Sequence, residues 1–170
     1  MSIERFLESK MVFSLDDEYS IRIEKSETYK TLGKGVKVCE FVSNNSGVIV
    51  FVEAKHSFSN PENPGDFTAD VDAIYEKFLN SLLLYAGLLI GRPYRSIDRV
   101  PEHLGLEKTR GAKYRCYLIL HGHKDEWLVA VDEALDMRFA VIKRCFAVDS
   151  IRTINERMAL KHGLIQKIET

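Results

Sequence analysis

Apolar and polar positions along this chain change rhythm several times, and each rhythm predicts an element. Over residues 2–12, Ile3, Phe6 and Leu7 fall at helical spacing behind Ser2, a good capping residue, and predict a short amphipathic helix. Tyr19-Ser20-Ile21-Arg22-Ile23 alternates as a strand with one wet face does. Val36 to Val42 predicts a strand, Ser43-Asn44-Asn45-Ser46-Gly47 a turn, and the apolar run Val48 to Ala54 a central strand buried on both faces. Pro61, Pro64 and Gly65 make 56–65 a loop. Asp66 then caps a long helix carrying Val71, Ile74, Phe78, Leu82, Ala86 and Leu89, which Gly91 and Pro93 end. Tyr114 to Leu120 predicts a strand that stops at His121-Gly122-His123, and Leu128, Val131, Leu135, Phe139, Ile142 and Phe146 continue one helix from Asp125. Ser150 to Ile154 predicts a short last strand, and Asn155 caps a terminal helix that Gly163 closes. Strands and helices mixed in this way predict an α/β layered domain.

At 170 residues, with 45% apolar and 29% charged, the chain suits one domain spanning 1–170, and a disordered chain is excluded. Lys and Arg number 24 against 25 Asp and Glu, so a strongly basic surface is excluded while a local basic patch is not. Cys39, Cys116 and Cys145 lie among apolar neighbours, too scattered for a disulfide framework, and predict buried free thiols in a reducing compartment. The first five residues carry two charges and no long apolar run, and no segment is apolar enough to span a membrane. A cytoplasmic protein with no membrane partner is expected.

The chemistry concentrates on the predicted hairpin. Glu40 lies on its first strand, and Glu53-Ala54-Lys55 closes its second. Alternation points Glu53 and Lys55 the same way, and the turn leaves Glu40 and Glu53 neighbours across the ribbon. Buried charge costs several kcal/mol unless it is paired or holds a metal, so two acids and an amine inside an apolar stretch point to a hard cation. Mg²⁺ or Mn²⁺ prefers such carboxylate oxygens. The same three residue types recur at surface strand ends, where Glu53 and Lys55 would form an ion pair worth ~0–1 kcal/mol.

A hairpin acid, a short turn, an apolar strand ending in Glu53-x-Lys55, a polar loop and a long helix together resemble the PD-(D/E)xK nuclease superfamily. The resemblance covers roughly residues 1–120 as a core, with 121–170 as a C-terminal elaboration. It implies a restriction-endonuclease-like fold, in which a mixed central sheet with an antiparallel β-meander is flanked by helices. It further implies metal-dependent hydrolysis of phosphodiester bonds, usually in DNA, with RNA as the other substrate. By position, Glu40 would be the first acid, Glu53 the second, both binding Mg²⁺ or Mn²⁺, and Lys55 the lysine that positions the attacking water. The family's first acid is usually Asp; here it is Glu40. A further acid on the first helix would be Glu4 or Glu8, and His56, Asp70 and Lys77 are candidates to line the site.

Other signals carry less. The basic run Arg92, Arg95, Arg99, Lys108, Arg110, Lys113 and Arg115 could hold a nucleic-acid backbone if it folds beside the acids, with Tyr94 to stack on a base; otherwise it is a solvated connector. His121 and His123 lack a second ligand pair and read as a strand-to-helix turn, and His162 suits a helix C-terminus. Trp127, at a helix start, suits an anchor to the sheet or an interface. A homodimer would let so short a chain address both strands of a duplex. The rival to the nuclease is a module of the same fold that binds nucleic acid or protein without catalysis.

Overall fold

The computed structural model describes residues 2–92 and 98–166. Its centre is a five-stranded mixed sheet in the order β3-β4-β5-β6-β7, with β3 at Ser20–Ile21, β4 at Phe41–Asn45, β5 at Val48–Lys55, β6 at Lys113–Leu120 and β7 at Val148–Asn155. The first three strands form an antiparallel meander, and β6 and β7 then run parallel to β5. Each parallel step needs a crossover. The 26-residue helix α2 (Pro64–Leu89) supplies the first, with α3 (Leu106–Thr109) following on the way to β6. Helices α4 (Asp125–Arg138) and α5 (Ala140–Cys145) supply the second. Helix α1 (Glu27–Thr31) precedes β4, and α6 (Glu156–Lys161) follows β7.

The apolar run of β5 is buried on both faces, as a central strand requires. One face, through Ile49 and Phe51, joins Cys116, Leu118 and Leu120 of β6 under Ile74, Phe78 and Leu82 of α2 and Leu128, Val131 and Leu135 of α4. The other face, through Val50, Val52 and Ala54, meets an N-terminal hairpin and α6. The result is three layers with the sheet in the middle.

That hairpin overturns the helix expected over 2–12. Strands β1 (Ile3–Glu8) and β2 (Met11–Asp16) pair antiparallel as a separate two-stranded sheet. Met11, Phe13 and Leu15 alternate inward, and Phe13 packs edge-on against Phe41 at 5.5 Å. The two turn residues Ser9 and Lys10 both have positive φ, the conformation a two-residue hairpin turn demands. Neither is Gly or Asn, so the usual turn signal is missing, and Ile3, Phe6 and Leu7 fit a helix by spacing alone.

Other boundaries shift for local reasons. The strand expected from Val36 begins only at Phe41, and β4 runs on to Asn45 because the turn is Ser46-Gly47, both at positive φ. The long helix starts at Pro64 after Asn63, two residues before Asp66. The helix expected over 125–146 breaks at Phe139, and the last strand is eight residues rather than five. Cys39 and Cys116 are buried as expected, but Cys145 is exposed. Among the described residues no helix is long and apolar enough to cross a membrane.

Strand β7 forms an edge of the sheet, where Asp132 of α4 accepts a hydrogen bond from the Thr153 backbone N–H and lies 3.6 Å from Arg152. At its end, the Asn155 side chain accepts from the Met158 N–H at 3.1 Å and so caps α6, and it donates to Asp125 at 2.5 Å. Asn155→Ala is expected to cost about 1 kcal/mol, read as a lower urea midpoint at unchanged slope.

Candidate functional site

Register places the carboxyl ends of the parallel strands together, since Lys55 pairs with Leu120 and Leu120 with Asn155. Open α/β sheets bind ligands beyond such strand ends. Glu53 and Lys55 belong to this edge through β5. Glu40 reaches it from the entry to β4: its N–H donates to Val52 O at 2.9 Å although Phe41 is the register partner of Val52, so both residues stand against Val52. Helix α2 contributes Asp70, Lys77 and Ser81, spaced by seven and four so that they share the stripe facing the sheet.

Glu53 is 1% exposed and Glu40 4%. Lys77 Nζ sits 2.5 Å from Glu53 Oε1, while Glu53 Oε2 and Glu40 Oε2 are both buried without a hydrogen-bond partner. Burial, and then the neighbouring charge of Glu53, push the Glu40 carboxyl up to about 8, with Glu24 and Glu8 adding to the effect. Burial also lifts Glu53, to about 7, against the pull of Lys77 and more weakly of Lys55. Burial opposes the charge on Lys77, but Glu53 and then Glu40 outweigh it and raise its pKa. These groups form one electrostatic unit: two repelling acids and a helix lysine that favours their ionised form.

Lys55 faces a different partner. Its Nζ is 3.0 Å from Asp70 Oδ1 and 5.4 Å from the centre of the Phe58 ring. Asp70 also accepts from the Ser59 N–H at 2.8 Å and the Ser59 hydroxyl at 2.7 Å. Burial pushes against ionised Asp70, but Ser59 and Lys55 hold its carboxyl below the ordinary value. Both ends of the Lys55–Asp70 pair are about one-quarter exposed, which leaves the amine within reach of solvent. His56 is exposed beside it.

The expected cluster of Glu40, Glu53, Lys55, Asp70 and Lys77 is thus brought to one sheet end. Of the basic run, Arg92, Arg110, Lys113 and Arg115 are not. Lys113 opens β6 opposite Val48, seven positions from Leu120, which puts it roughly 23 Å from the Lys55 end. Arg110 lies just before it, and Lys113 and Arg115 pair with Asp149. Arg92 follows the far end of α2, fifteen residues beyond Lys77, or about 22 Å along a helix. Arg99 and Lys108 are exposed on the connector between α2 and β6. Arg95 and Tyr94 lie outside the described residues. Composition showed the charge, and strand direction carries most of it away from the acids.

Glu24 and Ser81 were missed by sequence reasoning. Glu24, in the turn Ile23–Lys25, accepts from Arg22 at 2.7 Å, and Arg22 also holds Glu4 at 2.9 Å. The expected helix acid Glu4 is therefore tied to Arg22, while Glu24 and Glu8 are the acids that reach the electrostatics of Glu40. Ser81 Oγ accepts from the Cys39 N–H at 2.8 Å and donates to Lys77 O at 2.7 Å, tying the approach to β4 to the helix turn that carries Lys77. A Lys and a Ser on an otherwise apolar helix stripe are the signal that could have found this link. No such signal singles out Glu24.

No protein family, no curated protein and no solved structure matches this chain. The site must be read from its own geometry.

Proposed function

We propose that this domain is a metal-dependent nuclease of restriction-endonuclease-like type, hydrolysing a phosphodiester bond of DNA. The observation that carries the proposal is the pair of buried acids, each with one carboxylate oxygen unbonded, at the carboxyl end of a central strand. A buried charge without a partner is costly, and a hard divalent cation is the partner that would suit both oxygens at once. The meander β3-β4-β5, the crossover helix α2 and the parallel strand β6 support the reading; the N-terminal hairpin, in place of a first helix, departs from it.

The residues fit Mg²⁺ or Mn²⁺. Among the described residues no three His, Cys, Asp or Glu gather as a complete metal cage. Magnesium commonly uses only one or two carboxylates, with water and substrate phosphate completing its shell. Glu40 and Glu53 would hold it. When bound, the cation would supply Lewis-acid neutralisation of the phosphate and a more acidic water. Lys77 would favour the ionised form of Glu53 against the effect of its burial. Lys55, exposed enough to leave Asp70, would orient the attacking water or bind the scissile phosphate through its amine.

The test is incubation of the protein with single- and double-stranded DNA and RNA over a Mg²⁺ and Mn²⁺ titration. Metal-dependent cleavage is expected, and Lys55→Ala should slow it roughly 100-fold with nucleic-acid affinity retained. That substitution should cost at most about 1 kcal/mol of stability, because the Lys55–Asp70 pair is partly exposed. One observation favours the rival, a binding module without catalysis: both lysines are already paired, Lys77 with Glu53 and Lys55 with Asp70. Binding without cleavage across all metals and substrates would decide for that rival.

A further inference from the structure

Beside Lys55 the strand-end edge carries an aromatic ladder that the hydrolytic reading does not use. Lys55 lies over Phe58, whose backbone O is 3.5 Å from His123 Nε2, and the His123 ring meets Trp127 edge-on at 5.9 Å. The His121 N–H bonds Lys55 O at 2.9 Å, and His123 Nδ1 is 3.0 Å from His121 O, so the loop after β6 is fastened to the end of β5. Phe58 is buried and braced edge-on by Phe67 at 5.9 Å. Trp127 is 38% exposed, at the outer end of this series. Large aromatics bury most of their area when a core can take them, so a partly open indole in the first turn of α4, just after the fastened loop, leaves surface for something else.

We infer that Trp127 is a stacking platform for an unpaired base of the nucleic acid cut at the neighbouring acids. The inference rests on the nuclease reading and narrows its substrate to single-stranded or end-frayed chains. Bases in a duplex are already stacked on one another, whereas each unpaired base offers a free face. Lys55, between the acids and the ladder, would meet a backbone phosphate of the same strand. The ladder would also give the site a nucleic-acid grip where Arg92, Arg110 and Lys113, toward the opposite sheet end, do not reach.

Trp127 is the sole tryptophan of the chain, so its emission reports this position directly. The wild-type protein, without divalent metal, is titrated with a phosphorothioate oligothymidylate and with a blunt DNA hairpin while emission is followed. Quenching by the oligothymidylate and weak quenching by the hairpin are expected. By anisotropy of a labelled oligothymidylate, Trp127→Ala should bind roughly 5- to 100-fold more weakly, and Trp127→Phe should keep most of the affinity. Emission that stays constant while the oligonucleotide binds overturns the inference. Equal affinity of the wild type and Trp127→Ala does the same. Cleavage in Mg²⁺ is scored separately: a wild type that cuts with either of those results loses the stacking role alone, and one that neither binds nor cuts loses both readings.

Discussion

Glu40→Gln is expected to make the protein more stable and to abolish the proposed cleavage. Gln keeps the shape of Glu40 and removes the buried negative charge that faces Glu53, Glu24 and Glu8. Relief of such an uncompensated charge should add roughly 1–3 kcal/mol at pH 8, a rise of about 2–10 °C in Tm for a chain of this size. Cleavage should fall about 100-fold or more, because one of the two carboxylates that would hold the cation is gone. Sites that bind substrate or metal commonly carry such stored instability.

The sign of the pH dependence follows. The folded carboxyls of Glu40 and Glu53 sit at about 8 and about 7, against an ordinary value of 4.5. Between these limits the folded state holds protons that the unfolded chain has released. The contribution of these groups is therefore complete below about pH 4.5 and is lost as pH rises through 7 and 8, with a slope of about 1.4 kcal/mol per pH unit per proton. Melting of the wild type from pH 5.5 to pH 8 should show that fall, and Glu40→Gln should flatten it. Added Mg²⁺ should raise the wild-type Tm more at pH 8 than at pH 5.5 and leave Glu40→Gln nearly unmoved. A variant that melts lower than wild type at pH 8 would mean that Glu40 has a partner after all.

Lys77→Met should act in the opposite direction. It removes the lysine bonded to Glu53 and leaves a carboxylate at 1% exposure with only the weaker pull of Lys55 to offset its charge. Breaking a buried pair from one side typically costs about 3–5 kcal/mol, more than removing the pair whole. Urea melts should show that loss at pH 8 and a smaller one at pH 5.5, where Glu53 takes up a proton instead. The double variant Glu53→Met with Lys77→Met should recover much of the stability and none of the cleavage. A loss below about 1 kcal/mol at pH 8 for the single variant would show that Lys77 is not what keeps Glu53 charged.

The contrast between the two lysines shows what was legible in the sequence. Glu53 and Lys55 could be placed because β5 is an apolar run that ends abruptly in charge, and α2 because its stripe and its closing Gly91 are plain. Asn155 and Gly163 marked α6 for the same local reason. Lys77 could be flagged as lining the site, but its contact with Glu53 depends on how α2 packs over the sheet. The N-terminal hairpin was misread because Ile3, Phe6 and Leu7 satisfy helical spacing, and its decisive turn, Ser9-Lys10, has no glycine to announce it. The basic run was visible as composition, but whether it joins the acids is set by the direction of β6, and direction is a property of the whole sheet.

The guarded rim at β7 has a consequence for how copies of this chain can meet. An edge strand of eight residues is long enough to template a neighbour's backbone. Asp132 already occupies the Thr153 donor, and with Arg152 it sets a fixed charge pair along that rim. The opposite rim, β3, offers only two residues. Continuous cross-molecule ribbons through the five-stranded sheet are thereby disfavoured at both of its rims, which directs any pairing of two subunits away from that sheet's edges.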